Sequence, residues 1–387
     1  MKSLQRTDIQ FLELLKAGLW GTVPNAALFE GETDWDAIVL QARRQAVSPI
    51  VFDGLERLSK ELHPAQQLKF QWYGDVVQAE RQNALLNKTV VKLVERFSAI
   101  GLTGVIIKGQ SLTRYYRQPE HRIPGDIDIY FKEGYMKANE QAQKWTSQIY
   151  ERDIVEQEWR HQFCYTLPNG VIVENHKECA LYFSRKRMAT WKEIEHLTMG
   201  DSVHTFPIGD VAIPTLSPTL NAIFVFQHLL RHLLFFGVGF RQVCDWVLLF
   251  KHELPNIDLP LFLESIDRLE LRRPMTALTL LAEQYLGIEK GLFPFDTSGE
   301  KVQEDAAIML NELLAMGNFG HDTTLSKDKE SGSLVRKLNA YALLFKRIFL
   351  VSRFGSREVF GILRNTIEIY CKKCFRSLKN RYGKTTR

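Results

Sequence analysis

Hydrophobic positions recur with a helical period from residue 7 to about 98. They run through Leu12, Leu15 and Leu19, then Ile38, Val39, Val51 and Leu55, then a long stretch from Leu68 to Phe97. The pattern changes between about 101 and 215. Short β-branched runs at 104–107, 126–131, 161–167 and 171–176 read as strands, with a helix near 134–147 between them and a hairpin turned at Pro168-Asn169-Gly170. After Pro214-Thr215-Leu216-Ser217-Pro218 the helical period returns. It predicts helices at 218–236, 241–252, 259–269, 275–286, 303–316, 333–352 and 357–381. The expected fold class is α+β: a small mixed β-sheet core over 101–215, an N-terminal helical region over 1–100 and a larger C-terminal helical region over 216–387.

The segment Gly125-Asp126-Ile127-Asp128-Ile129-Tyr130-Phe131 departs from this apolar strand pattern in an informative way. Residues i and i+2 of a strand share a face with Cα atoms roughly 7 Å apart, so the two carboxylates lean toward one spot while Ile127 and Ile129 pack behind them. Two anions so placed repel each other. A pair of divalent ions, about 3.5 to 4 Å apart in two-metal sites, removes that repulsion and activates an attacking oxygen and a leaving phosphate together. Upstream, Gly104-Val105-Ile106-Ile107 reads as a strand running into Lys108-Gly109-Gln110-Ser111, before a helix expected to begin at Leu112. Glycine in such a turn lets backbone N–H groups approach a phosphate, Ser111 is a candidate helix N-cap or phosphate ligand, and Lys108 adds a point charge. Glu174, in Val171-Ile172-Val173-Glu174-Asn175-His176, is the candidate third carboxylate.

In this order, a glycine turn, then Asp-h-Asp (h, hydrophobic), then a third acidic strand, the residues resemble the nucleotidyltransferase superfamily of the DNA polymerase beta type. More closely, Lys108-Gly109 through Leu112, Tyr116, Arg122 and Asp126-Ile127-Asp128 is similar to a poorly characterised bacterial nucleotidyltransferase family reading K-G-x-x-L, a Tyr, an Arg and D-h-D. Val173-Glu174-Asn175-His176 resembles that family's third-carboxylate strand. His228-Leu229-Leu230-Arg231-His232, followed by Asp245-Trp246, resembles its helical region. The resemblance implies transfer of a nucleoside monophosphate from an NTP such as ATP to a hydroxyl acceptor, with two Mg²⁺ held by Asp126, Asp128 and Glu174. It also implies nucleotide contacts from Lys108, Gly109, Gln110, Ser111, Arg122 and His176. Asn175 is polar where the pattern is hydrophobic, which leaves Glu178 and Glu158 as alternative third ligands. The acceptor stays open among small molecules, proteins and RNA. The alternative reading is a catalytically silent nucleotide-binding or regulatory module.

Composition adds boundaries rather than chemistry. The 387 residues suffice for a sizeable core. No unbroken apolar run is long enough to span a bilayer, and five cysteines in no framework spacing fit a reducing compartment, so the expected location is cytoplasmic. The net charge of +5 is local: Lys372, Lys373, Arg376, Lys379, Arg381, Lys384 and Arg387 form a basic tail suited to an anionic partner or simply to solvent. His228 and His232 share a helix face, but Leu229 stands where a zinc H-E-x-x-H motif needs its glutamate, which favours cleft lining over metal binding.

Overall fold

β-branched and aromatic residues make the strands. The computed structural model describes residues 4–146, 148–149, 162–182, 184–199, 204–235, 237–317 and 353–354. Strands β1 (Val105–Ile107), β2 (Ile127–Tyr130), β3 (Gln148–Ile149), β4 (Gln162–Thr166) and β5 (Ile172–His176) form one sheet in the order β1-β2-β5-β4-β3. Only the β2/β5 pair is parallel; the other three pairings are antiparallel. A separate hairpin, β6 (His204–Ile208) with β7 (Val211–Thr215), docks on β1, where Thr215 Oγ1 donates to the Ile106 carbonyl at 3.0 Å. The architecture is mixed α+β, as the sequence predicts.

Strand alternation sorts the sheet into two faces. Ile106, Ile127, Ile129, Phe163, Tyr165 and Val173 turn to one side and share a core with the helix Tyr135–Trp145 and the long helix Gln66–Ser98. That helix meets them with Leu86, Val90, Leu93 and Phe97, whose spacing of four, three and four residues makes a single stripe. At 33 residues it is about 50 Å long. Its first half inserts Trp72 and Val76 into a second, larger core. There the N-terminal and C-terminal helices meet: Phe11 lies edge-on to Phe240, with ring centroids 5.7 Å apart, and Trp20 Nε1 donates to the Leu286 carbonyl. The helices Arg6–Trp20 and Ser48–Leu55 cross at glycines. A Cβ on Gly54 would stand 2.0 Å from the Leu14 carbonyl oxygen, so only glycine permits that approach.

The expected helices of the N-terminal region, and those from 218 to 316, occur as Arg6–Trp20, Trp35–Arg44, Ser48–Leu55, Gln66–Ser98, Pro218–Phe235, Phe240–Glu253, Leu259–Arg268, Arg272–Tyr285 and Glu300–Met316. The helices expected at 333–352 and 357–381, and the basic tail, lie outside the described residues. Three features differ from expectation. The helix expected from Leu112 is a single turn, Gln110–Thr113, because Tyr115 and Tyr116 are drawn off by Glu253 and Asp245 and Pro119 follows. The helix Arg185–Met199 and the β6/β7 hairpin were not foreseen. Among the described residues no helix is long and apolar enough to cross a membrane.

Candidate active site

The loop that delivers β2 is pinned from three sides. Asn83, buried in the long helix, donates from Nδ2 to the carbonyls of Glu120 and Arg122 at 2.7 and 2.8 Å. Arg241 Nη1 donates to the Ile123 carbonyl at 3.0 Å. Arg122 makes a side-on pair with Asp245, Nε to Oδ1 at 2.7 Å and Nη2 to Oδ2 at 2.8 Å, and Tyr116 donates its hydroxyl to the same Oδ1 at 2.7 Å. Burial and the Asp245 charge push the Tyr116 hydroxyl well above its ordinary pKa, so it remains a donor. Tyr116, Arg122 and Asp245, three separate elements of the sequence resemblance, are thus one buried network that fixes the strand entry. Arg122 carries no free charge as a result, because Asp245 neutralises it.

Asp128 lies on β2 directly across from Glu174 on β5, and Asp126 comes two residues before it, one position ahead of the first strand residue. All three line one cleft of about 340 Å³. Lys108 Nζ stands 2.9 Å from Asp128 Oδ1. His176 Nε2 donates to the same oxygen at 2.7 Å and lies 3.6 Å from Glu174 Oε2. Burial pushes the Asp128 carboxyl up, but Lys108 and His176 outweigh it and hold the pKa at about 2. Asp126 is raised, first by the charge of Asp128 and then by burial. Glu174 is pushed up to about 7 by burial and then by the two aspartates. Ligand atoms of Asp128, Glu174 and His176 lie within 4.8 Å of one another, a grouping able to hold a metal ion. The raised Asp126 and Glu174 reflect carboxylates buried close enough to repel one another, an arrangement that a bound cation would relieve.

β1 ends in a backbone that strongly favours glycine. Lys108 has φ +57°, left-handed for a residue with a Cβ, and Gly109 has φ +43° with ψ −116°. A Cβ at Gly109 would meet the Asp126 carbonyl oxygen at an ordinary 3.5 Å, so conformation rather than space selects glycine. Lys108 and Gly109 line the cleft; Gln110 and Ser111 turn inward. Gln110 Nε2 donates to Asn87 Oδ1 at 2.6 Å, and Ser111 uses both its hydroxyl and its N–H on the Lys108 carbonyl, at 2.8 and 2.9 Å. These two side chains hold the turn instead of facing a ligand. With a single helical turn behind it, the loop also lacks the long helix dipole expected to favour phosphate.

Opposite the carboxylates, the helix Pro218–Phe235 presents Phe224, His228, Arg231 and His232 to the cleft at helical spacing. Burial, with Lys108 next, holds His228 well below its ordinary pKa and His232 at about 4, so both rings are neutral at pH 7. They line the cleft with ring centroids 4.4 Å apart. Asn175, the polar departure on β5, is fully buried on the far face of the sheet and donates to Asn139 Oδ1 at 3.0 Å, which leaves Glu174 facing the cleft. Glu178 also lines the cleft, but its carboxylate pairs with Lys192; Glu158 lies outside the described residues.

Sequence reasoning missed Asn83, Arg231, Arg241 and the pairing role of Asp245. Only Arg231 had a local signal, as the one Lys, Arg, Asp or Glu in the helix Pro218–Phe235. Residues 31–287, more than half of the chain, match the model of a family described as uncharacterised nucleotidyltransferase. No curated protein matches the chain.

Proposed function

The chain belongs to this family of uncharacterised nucleotidyltransferases, and from that premise we propose that it transfers a nucleoside monophosphate from an NTP to a hydroxyl of an acceptor, releasing pyrophosphate. The observation that carries the reading is the convergence of Asp126, Asp128 and Glu174 on one face of β2 and β5. Their mutual repulsion, seen in the raised Asp126 and Glu174, fits a site for Mg²⁺, one ion or a pair. Bound Mg²⁺ would supply charge neutralisation at the α-phosphate and a more acidic acceptor hydroxyl.

The chain's own groups divide the remaining work. His176 holds Asp128 in one orientation through Oδ1. Lys108, also on that oxygen, carries the charge that a phosphate would take up once Asp128 turned to a metal ion. The Gly109 turn lets backbone meet phosphate without an intervening side chain. The acceptor oxygen bonds to the α-phosphorus, the bond to the bridging α–β oxygen breaks, and the hydroxyl proton passes to a carboxylate oxygen. Glu174, directly across from Asp128 on the cleft face, is one of the carboxylates placed to take that proton. The Lys108–Asp128 ion pair favours a second reading, a module that binds nucleotide without turnover.

Incubation of the protein with each α-labelled NTP, Mg²⁺ and fractionated cell extract tests the proposal. Label should move to one acceptor class with stoichiometric pyrophosphate. NTP binding without pyrophosphate release in any fraction would select the silent module.

A further inference from the structure

Arg231 is a cation without a counter-ion. It lines the cleft, partly buried, and has no hydrogen-bond or ion-pair partner among the described residues. Arg241 also lines the cleft. It spends Nη1 on the Ile123 carbonyl and keeps a buried Nε with no acceptor. The third donor belongs to Arg122, only 4% exposed: its Nε and Nη2 are committed to Asp245, and Nη1, on the opposite edge of the guanidinium, is buried and unpartnered. Burying one such donor without an acceptor costs about 1 to 3 kcal/mol, more when the group is charged. Each of the three thus keeps guanidinium N–H groups with no protein acceptor among the described residues, Arg122 at Nη1 alone because Asp245 takes its other edge.

They are also close to one another. All three line the one cleft; Arg231 and Arg241 both act on His232, after burial and Lys108, in lowering its pKa, and Arg122, after burial, lowers that of Arg241. The complement to several unmatched guanidinium N–H groups is a ligand with several anionic oxygens set side by side. Guanidinium forks fit phosphate oxygens in pairs. The carboxylate wall demands the opposite, a cation. The cleft is therefore divided by charge, metal-seeking on the sheet and anion-seeking on the helices.

We propose that Arg231, Arg241 and Nη1 of Arg122 form the seat of the terminal two phosphates of the NTP, the part that departs as pyrophosphate. This assignment rests on the nucleotidyl-transfer reading and deepens it. It moves the main phosphate contacts from the turn after β1 to the helices Pro218–Phe235 and Phe240–Glu253.

The test is calorimetric titration of the full chain, in Mg²⁺, with inorganic pyrophosphate, NTP and the corresponding nucleoside monophosphate. Arg231→Gln should weaken pyrophosphate and NTP about tenfold while leaving the monophosphate unchanged. Arg231→Lys should recover part of the loss. Thermal unfolding of Arg231→Gln should be unchanged or raised, since an uncompensated charge is removed, and Arg241→Gln gives an independent second variant. Equal pyrophosphate affinity in Arg231→Gln and Arg241→Gln, or an equal loss for the monophosphate, would overturn the seat while leaving nucleotidyl transfer standing. A wild-type chain that binds neither NTP nor pyrophosphate would overturn both.

Discussion

On one side of β2 and β5, Ile127, Ile129 and Val173 pack dry against Leu86, Val90 and Phe97; on the other, at alternating positions of the same strands, Asp128 and Glu174 stand beside Lys108 and His176. The dry face gains free energy with each apolar group removed from water. On the charged face Asp128 is held by Lys108 and His176, but Glu174 is pushed up to about 7 and Asp126 is raised, so these two carboxylates are kept in place at a cost in repulsion and desolvation. One strand pair thus uses its inner residues to hold its outer residues in an unfavourable arrangement. The difference teaches where each kind of substitution should act: changes on the dry face should move stability and leave ligand binding alone, and changes on the charged face should do the reverse.

The largest separation is expected at neighbouring residues. Asp126→Asn should reduce turnover on the order of 1000-fold, the scale of losing a charge-stabilising contact in the transition state. It should leave thermal unfolding unchanged or slightly raised, because it relieves repulsion with Asp128. Ile129→Ala, one residue past Asp128, should cost about 2 to 5 kcal/mol in denaturant unfolding and leave Mg²⁺ affinity within error. If Asp126→Asn unfolded the protein as readily as Ile129→Ala, the two faces would not be separable.

Asn83 spans the comparison, since it sits in the helix of the dry face and holds the loop of the charged one. Asn83→Ala removes its hydrogen bonds to the Glu120 and Arg122 carbonyls and should cost about 1 to 3 kcal/mol. It should also lower kcat more than it raises KM, because Asp126 and Asp128 lose their registration. A pure stability loss with normal kcat in the folded fraction would confine Asn83 to a structural role.

The smallest effect is the pH dependence of stability. Glu174 has a folded pKa of about 7 against an ordinary 4.5, so the folded state binds its proton more tightly than the unfolded chain does. The metal-free protein should therefore lose stability from this group as pH rises between 4.5 and about 7. His232 has the opposite sign. Its folded pKa of about 4 lies below the ordinary 6.5, so its contribution is lost as pH falls through that interval. Mg²⁺ competes with the proton on Glu174 and should raise the melting temperature more at pH 8 than at pH 5. Glu174→Gln should flatten this difference; an undiminished difference would remove Glu174 from the metal site.

The apolar periodicity made the core helices and the strand pair legible because burial patterns are local. Asp126 and Asp128 were legible for the same reason, as polar residues breaking an apolar strand. Glu174 could be singled out, but its register opposite Asp128 is a tertiary fact. The helix Arg185–Met199 was hidden because it buries Arg187 and Glu195 through ion pairs and hydrogen bonds, which erases the apolar stripe. Ser111 and Gln110 looked ligand-like because serine and glutamine carry donors. Only the folded chain shows those donors spent on Lys108 and Asn87. The partnership of Arg122 with Asp245 spans 123 residues and has no local signature.

The account stands on the claim that the charged face exists to hold divalent metal for nucleotidyl transfer. Its most direct measurement is Mn²⁺ binding, followed by electron paramagnetic resonance, in the full chain with a non-hydrolysable NTP analogue. Bound Mn²⁺, one ion or a pair, is expected for the wild type and none at this site for the Asp126→Asn, Asp128→Asn double variant, with circular dichroism unchanged. Undiminished Mn²⁺ binding in that folded double variant would contradict the claim.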